Sequence, residues 1–542
     1  MSELSDESLD YFSSSTDYDS DDYDFDEVQE CLNREKTRKM RELLDNVNWD
    51  IEAERVELLK KLDPLIRNWY GRIPDLRDIF WPDEMHCLLW DAAIDNDVCG
   101  FDYAGKRFIK FVARSGYKDE PDYDEDGKPD LRYDTAVHHA AKNQCRDLVR
   151  KLFEIYDSYD VNYTDESGFT HFHAACWYGR RYVVHKFLEQ GQDPNCVNSK
   201  TGHTPLHFAL DNVNRKTVKT LLMNGADPNL AGPNGFTPVH MAYQCPEQLW
   251  HYATVRGSGT RTQESGRITA EKNADPNLAD NEGLTPLHVI CKRDYDHDDD
   301  MLDLFFKIND DMQQTVQVDA RDNLCRTPLQ LAVANLLPNT MNVLLDRGAD
   351  LSNFVFPTES DFDKSYPSWK IGQTGFKLMQ ASAAMIIIES LEKRGYGLDR
   401  SDAMTIMKLF DKHKMFKKSI DVEEYWYDDE EYAKYMKEKM VIPTLSVYNL
   451  IQLGSEQAEK LFTHADYFKM GKSNKLLFRG GRQEKACVVQ LCENVSKRFF
   501  RRWALNSFLE IIRYRLPILC CDAILENLLN DDLWHAPYRA SR

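Results

Sequence analysis

The sequence predicts an all-α protein, a solenoid of stacked helical pairs followed by a helical C-terminal region. Three observations carry that expectation. The stretch Thr201–Leu230, TGHTPLHFALDNVNRKTVKTLLMNGADPNL, reads as two short antiparallel helices between turns. Copies of its opening recur at Thr135, Thr170, Thr204, Thr237, Thr285 and Thr327, with first intervals of 35, 34 and 33 residues. Beyond residue 360 the pattern changes to long amphipathic stretches, Phe376–Leu391, Ala403–Phe416 and Glu430–Met440.

The unit is built from local signals. Thr204 stands where an N-cap is needed, and Pro205 occupies the first helical position, where a missing N–H costs nothing. Val218, Leu221 and Leu222 give the second helix an apolar stripe at helical spacing. Gly225 follows as a stop, and Asp227-Pro228-Asn229 opens a turn. So small a unit cannot bury its apolar face alone, and its copies must stack beside it.

Taken in order, residues 1–30 are acidic and rich in Ser and Tyr, with no Lys or Arg. They read as a disordered tail, because they cannot bury enough apolar surface to offset chain entropy. Residues 31–80 form a helical lead-in with apolar residues from Leu32 to Ile66, interrupted near Asn48-Trp49-Asp50 and closed by Pro64 and Gly71. Residues 81–134 hold a degenerate helical pair, His86–Ile94 and Lys106–Arg114, suited to an N-terminal cap because a terminal repeat must turn one face to water. The repeats occupy 135–355. Their rhythm breaks between Thr237 and Thr285 (48 residues) and between Thr285 and Thr327 (42 residues). In the first break, Gly- and Ser-rich sequence at about 253–273 stands where a second helix is expected. A neutral insertion, a gene-model artefact and a binding loop all fit it. Residues 356–497 read as helical, and 498–542 as a separate terminal segment.

Composition narrows the function. The formal charge of −22 argues against generic binding to nucleic acid or an anionic membrane surface. Thirteen scattered cysteines without a Cys-x-x-Cys pair suit reduced thiols in the cytosol or nucleus. The longest apolar run, near Ala383–Ile388, is too short for a membrane span. We find no phosphate-binding, dinucleotide, zinc-protease or serine-hydrolase motif, so no catalytic, cofactor or metal residues are assigned. His171 and His173 form an H-x-H pair, but His173 recurs in register as His138, His207, His240 and His288. That recurrence points to a structural imidazole bonding backbone between units.

The sixfold T-P-L-H-x-A signature resembles the ankyrin repeat, whose period is about 33 residues. The resemblance implies binding of protein targets in a groove lined by first helices and turn tips. Carried over by position, the groove presents Lys142, Asn143, Trp177, Tyr178, Asp211, Asn212, Lys292 and Arg293. The tips present Asp165, Glu166, Asn198, Lys200, Asn234, Asp280, Asn281, Asp322 and Asn323. Trp177 and Tyr178 attract most interest, since exposed aromatics often carry interface energy, although packing between units is an equal expectation for Trp177.

The terminal stretch RLPILCCDAILENLLNDDLW, residues 515–534, resembles the front of an F-box. Leu516, Pro517, Ile518, Leu519, Ile524, Leu525, Leu528, Asp532 and Leu533 match its pattern, while the usual acidic residue after the proline is missing and Asp522 comes slightly later. An F-box front closing an ankyrin chain is similar to the PRANC proteins of poxviruses and parasitoid wasps. That resemblance implies docking of the Skp adaptor of cullin-type ubiquitin ligases; a terminal helix that only caps the array is the alternative. The chain therefore reads as a non-enzymatic adaptor joining a bound protein to that ligase. The alternative is a scaffold that sequesters a signalling partner, as ankyrin inhibitors of NF-κB-type factors do.

Overall fold

The computed structural model describes residues 25–94, 104–121, 123, 134–232, 234–244, 274–292, 300–365, 374–416, 430–453, 455–473 and 482–540. The expected insertion at 253–273, most of the acidic tail and Arg293 lie outside them. The chain forms two compact units, residues 1–200 and 201–542.

The first unit opens with α1 (Phe25–Leu44) and α2 (Glu52–Arg67). Residues 25–30, expected to belong to a disordered tail, are helical. Gln29 and Glu30 join the i,i+4 pairs of the α1 surface through Asn33 and Arg34. Pro64 lies inside α2 rather than ending it. It forfeits only one backbone bond near the helix end, and the buried stripe Leu58, Leu59, Leu62 and Ile66 holds the helix in place. Next come α3 (Pro82–Ile94) and α4 (Ala104–Ser115), which pack on each other and on α2. Arg55 reaches from α2 to the buried Asp91 of α3 at 2.7 and 3.1 Å, and Arg107 of α4 pairs with Asp63 of α2. Two repeats follow, α5 (Ala136–Lys142) with α6 (Arg146–Leu152) and α7 (His171–Trp177) with α8 (Arg181–Glu189).

The second unit continues with α9 (Pro205–Asp211), α10 (Arg215–Met223), α11 (Pro238–Tyr243), α12 (Pro286–Cys291), α13 (Asp300–Asp311), α14 (Pro328–Ala334) and α15 (Pro338–Asp346). All six expected threonines are N-caps. The helical remainder comprises α16 (Glu359–Ser365), α17 (Thr374–Lys393), α18 (Arg400–Lys412) and α19 (Glu430–Glu438). A small antiparallel hairpin, β1 (Met440–Ile442) and β2 (Leu445–Ser446), interrupts it where helix was expected to run on to Met440. Then come α20 (Val447–Gln452), α21 (Ser455–Leu461), α22 (His464–Lys472), α23 (Arg482–Ile511), α24 (Ile518–Glu526) and α25 (Asn530–Ala540).

Helix α17 is the buried centre of this region, with Leu378, Ala381, Ala384, Ile388 and Leu391 all inside. It packs against α22 and α23. Its approach to α22 requires glycine: a Cβ on Gly471 would lie 2.7 Å from the Met379 nitrogen.

Between the two helices of a repeat the chain must enter the left-handed region. Gly179 does so freely at φ 64°, but Gln144, Val213 and Leu336 take the same position at φ 58°, 51° and 53°. A β-branched side chain is least suited to it, at a cost of roughly 1–2 kcal/mol, part of which glycine returns through a freer unfolded chain. Val213→Gly is expected to raise stability by about 1 kcal/mol, read from the urea midpoint; an unchanged or lower midpoint would show the turn is unstrained.

Candidate protein-binding site

The repeats are positioned by a box that each threonine forms with the histidine three residues on. In the unit starting at Thr204, the threonine N–H donates to His207 Nδ1 at 3.1 Å. That occupies Nδ1 as an acceptor, leaving the Nε2–H to donate to the Phe236 carbonyl of the following turn at 3.0 Å. The same arrangement joins His138 to Tyr163, His173 to Cys196, His240 to Leu284 and His288 to Arg326. At Thr327 a glutamine does the same work: Gln330 Oε1 accepts from Thr327 N at 2.7 Å and Nε2 donates to Val355 O at 3.0 Å. The H-x-H pair is divided between two jobs. His173 sits in the box, while His171 is fully enclosed, with Nε2 2.7 Å from Thr135 Oγ1. Among the described residues no group of three or more His, Cys, Asp or Glu is placed to hold a metal ion.

The expected groove residues separate on inspection. In the first unit Lys142 pairs with Asp165 at 2.8 Å, and exposed Asn143 donates to the Ala93 carbonyl at 3.3 Å. Trp177 is half-buried, edge-on to Phe169. Tyr178 must be removed from the groove: it is buried, and its hydroxyl donates to the Ala141 carbonyl at 2.6 Å. The sequence shows two adjacent aromatics; only the neighbouring helix decides which one turns inward. In the second unit Asp211 and Asn212 are half-buried, and Lys292 stays largely exposed 3.8 Å from Glu282.

The tips need a similar correction. Asp165, Asn198 and Asp322 are buried and fold the turns rather than offering a side chain to a partner. Asp165 Oδ1 accepts from Ser167 N at 2.8 Å and Phe169 N at 2.9 Å. Burial opposes its charge, but Lys142, Ser167 and the Phe169 N–H outweigh that and hold the carboxyl down to about 2. Asp322 binds Leu324 and Arg326 N–H groups in the same way, and half-buried Asp280 binds those of Glu282 and Leu284. Asn198 accepts from the backbone of Lys200 at 3.1 Å. Exposed side chains remain at Glu166, Lys200, Asn234, Asn281 and Asn323. In the second unit the tips are stitched together, Asn281 N donating to Asn234 O and Asn323 N to Glu282 O.

At the far end, α24 is clamped on one side and bare on the other. Arg501 of α23 binds Asp522 through two 2.6 Å bonds and also meets Glu456 and Glu526. Asp522 is therefore an internal anchor. Leu525 and Leu533 are buried, Leu528 is half-buried, and Asp532 accepts from Leu529 N at 3.2 Å. Leu525 and Leu533 are enclosed and so leave the expected docking set, while Leu528 and Asp532 stay partly exposed. Leu516, Pro517, Ile518, Leu519 and Ile524 are exposed, Leu519 to 79%. Sequence reasoning passed over further exposed aromatics, Trp81, Tyr182 and Tyr514, which sit outside the repeat signature and carry no periodic signal.

A family model described as ankyrin repeats (3 copies) matches residues 105–198 and 179–256. The matched units are ankyrin repeats. Ankyrin repeats are protein-interaction modules, and relatives share stretches of this chain. Over 109 residues it is 37% identical to BCL-6 corepressor-like protein 1 of Homo sapiens, covering 20% of this chain and 6% of that protein. Over 151 residues it is 31% identical to human SMC5-SMC6 complex localization factor protein 1, covering 27% and 14%. Over 105 residues it is 34% identical to a putative ankyrin repeat protein of Fowlpox virus, covering 19% and 30%. The chain thus spans less than a third of the length of each. Among the described residues no helix is long and apolar enough to cross a membrane.

The boxes make the ankyrin array sensitive to acid. Burial drives the His207 imidazole down from 6.5 to about 4, and protonating Nδ1 would set it against the Thr204 N–H. The folded pKa lies below the unfolded one, so this stabilisation is complete above pH 6.5 and drains away as pH falls toward 4. His207→Gln, copying Gln330, should keep the cap and flatten the stability-versus-pH curve in that window by up to about 1.4 kcal/mol per pH unit. Urea titrations across the window test this; an unaltered slope would refute it.

Proposed function

We propose that this chain is a non-enzymatic adaptor. Its ankyrin repeats, within 135–355, hold a protein target, and the segment 516–524 docks the Skp-type adaptor of a cullin ubiquitin ligase. The observation that carries this reading is the two-sidedness of α24. Its inner side is fixed by Arg501–Asp522 and by buried Cys521 and Leu525, yet it keeps Ile518, Leu519 and Ile524 in water. A helix that served only to cap the fold would have no use for an apolar outer face. The L-P start at Leu516-Pro517 and the F-box-like spacing give that face its partner class. The PRANC resemblance and the match to a poxvirus ankyrin repeat protein support the same assignment. On the repeats, Trp177, Lys142, Asn143 and Glu166 serve the target in the first unit. Asp211, Asn212, Lys292 and the exposed tips Asn234, Asn281 and Asn323 serve it in the second. The cytosol or nucleus is the setting we assign.

A second reading is favoured by the match to BCL-6 corepressor-like protein 1 and by a 30% identity over 110 residues with the B-cell lymphoma 3 protein homolog of Mus musculus. On that reading the repeats sequester a regulatory partner and α24 has no binding role. Leu519→Asp separates the two. It changes an exposed side chain, so the melting temperature should hold. The intact chain should recover Skp-type adaptor in a pull-down and the variant at least tenfold less, as expected for loss of a central apolar anchor. Equal recovery by both, or recovery by neither, would remove the ligase assignment.

A further inference from the structure

The turn that delivers the chain from α23 into α24, Arg513-Tyr514-Arg515, has a construction its fold does not need. Both Arg513 and Tyr514 lie in the left-handed region, at φ 55° each. At the other described helix ends that need it, the chain meets this requirement with one residue. Gly191, Gly225, Gly348 and Gly395 follow α8, α10, α15 and α17, while single Gln313 and Lys414 follow α13 and α18. Two consecutive left-handed residues without glycine, one of them a bulky aromatic, are unfavourable. Among the described residues, nothing compensates at the side-chain level. Tyr514 is 69% exposed, with no ring contact or side-chain hydrogen bond. The turn is held by backbone alone, Arg513 N donating to Glu510 O at 3.0 Å and Tyr514 N to Leu509 O at 2.9 Å.

Charge sets the turn apart as well. In a chain of net charge −22, three arginines of α23 find carboxylates: Arg498 meets Glu459, Arg501 meets Asp522, and Arg502 meets Glu392. Among the described residues, Arg513 and Arg515 pair with none, and both are exposed on either side of Tyr514. Exposed Ile511 and Leu516 flank the triplet and continue its apolar surface to Leu519. Strain kept at a site with no side-chain contact among the described residues points to an external contact that repays it, and an exposed Tyr between arginines is the composition of an interface anchor.

We infer that Arg513-Tyr514-Arg515 is a specificity-determining part of the docking surface, lying outside the F-box-like pattern. Tyr514 enters an apolar recess of the Skp-type adaptor, and the two guanidinium groups meet carboxylates on the rim of that recess. This inference rests on the adaptor reading above and names the chemistry of the surface it meets. Unpaired cations require an acidic rim, since a basic or neutral one would leave them desolvated without partners.

The test uses the full-length chain and purified Skp-type adaptor, with affinity measured by calorimetry at low and high salt. Tyr514→Gly relieves the strained backbone and removes the anchor. It should raise or preserve the melting temperature while weakening binding about tenfold; a purely structural turn would bind with undiminished affinity. The double variant Arg513→Glu, Arg515→Glu should bind about tenfold more weakly at low salt, with the gap closing as salt screens the rim. If the intact chain binds and both variants match it, the turn has no docking role while the adaptor reading stands. If the intact chain does not bind at all, the adaptor reading falls and this inference with it.

Discussion

Everything in the ankyrin array depends on one small hydrogen-bond relay. A threonine N–H fills Nδ1 of a buried imidazole, which forces the Nε2–H tautomer, and that N–H then finds a carbonyl in the next turn. Local capping and unit-to-unit linkage are thus made by the same side chain. The relay needs a neutral ring, because a second proton on Nδ1 would face another donor. Burial enforces the same state from the other direction, pressing His138 and His207 down to about 4. Gln330 shows what is essential: one acceptor and one donor at fixed separation, with no requirement for a titratable group.

The C-terminal region solves a different problem, that of holding short helices onto one long one. Along α23 the solution is buried polar bonding. Glu493 accepts from the backbone N of Asn530 at 2.6 Å, and Asn530 Nδ2 donates to Glu493 O and Ser496 Oγ. Lys497 closes the same knot by donating to the Leu528 carbonyl. A buried polar network specifies one arrangement more sharply than apolar packing does, and here it leaves Asn530 Oδ1 without a partner among the described residues. Its effect here is to fix α25 and the loop before it, while Arg501 fixes α24. The exposed face is therefore presented by a rigid support, which limits the ordering entropy that binding must overcome.

The helix starts were legible because they rest on local chemistry: Thr at the cap, Pro, His or Ala next, and His or Gln three residues after the Thr. The structural role of the recurring histidines was legible for the same reason, since a residue repeated at every unit answers a need of every unit. The groove was less so. Tyr178 and Trp177 are neighbours of similar character, and only the presence of the Ala141 carbonyl turns Tyr178 inward. Asp165, Asn198 and Asp322 were read as partner-facing because they are polar and stand at turns. They are buried because an Asx oxygen placed to accept the N–H two residues on, and for the two aspartates also the one four residues on, is drawn into the turn it makes.

By itself the sequence determined the all-α class, the six capped repeats and the ankyrin resemblance, because periodicity and caps act within a few residues of chain. It also marked Leu516–Leu533 as a segment apart. Only the tertiary structure decided which side chains of those elements face water. Leu519 and Leu525 lie on one short helix and are equally apolar, yet one is exposed and the other enclosed. The difference comes from how α24 lies on α23, where Arg501, twenty-one residues upstream, binds Asp522 and where Cys521 and Leu525 are enclosed. Long-range pairing of that kind has no period and no local signature, so it enters only when the chain is folded.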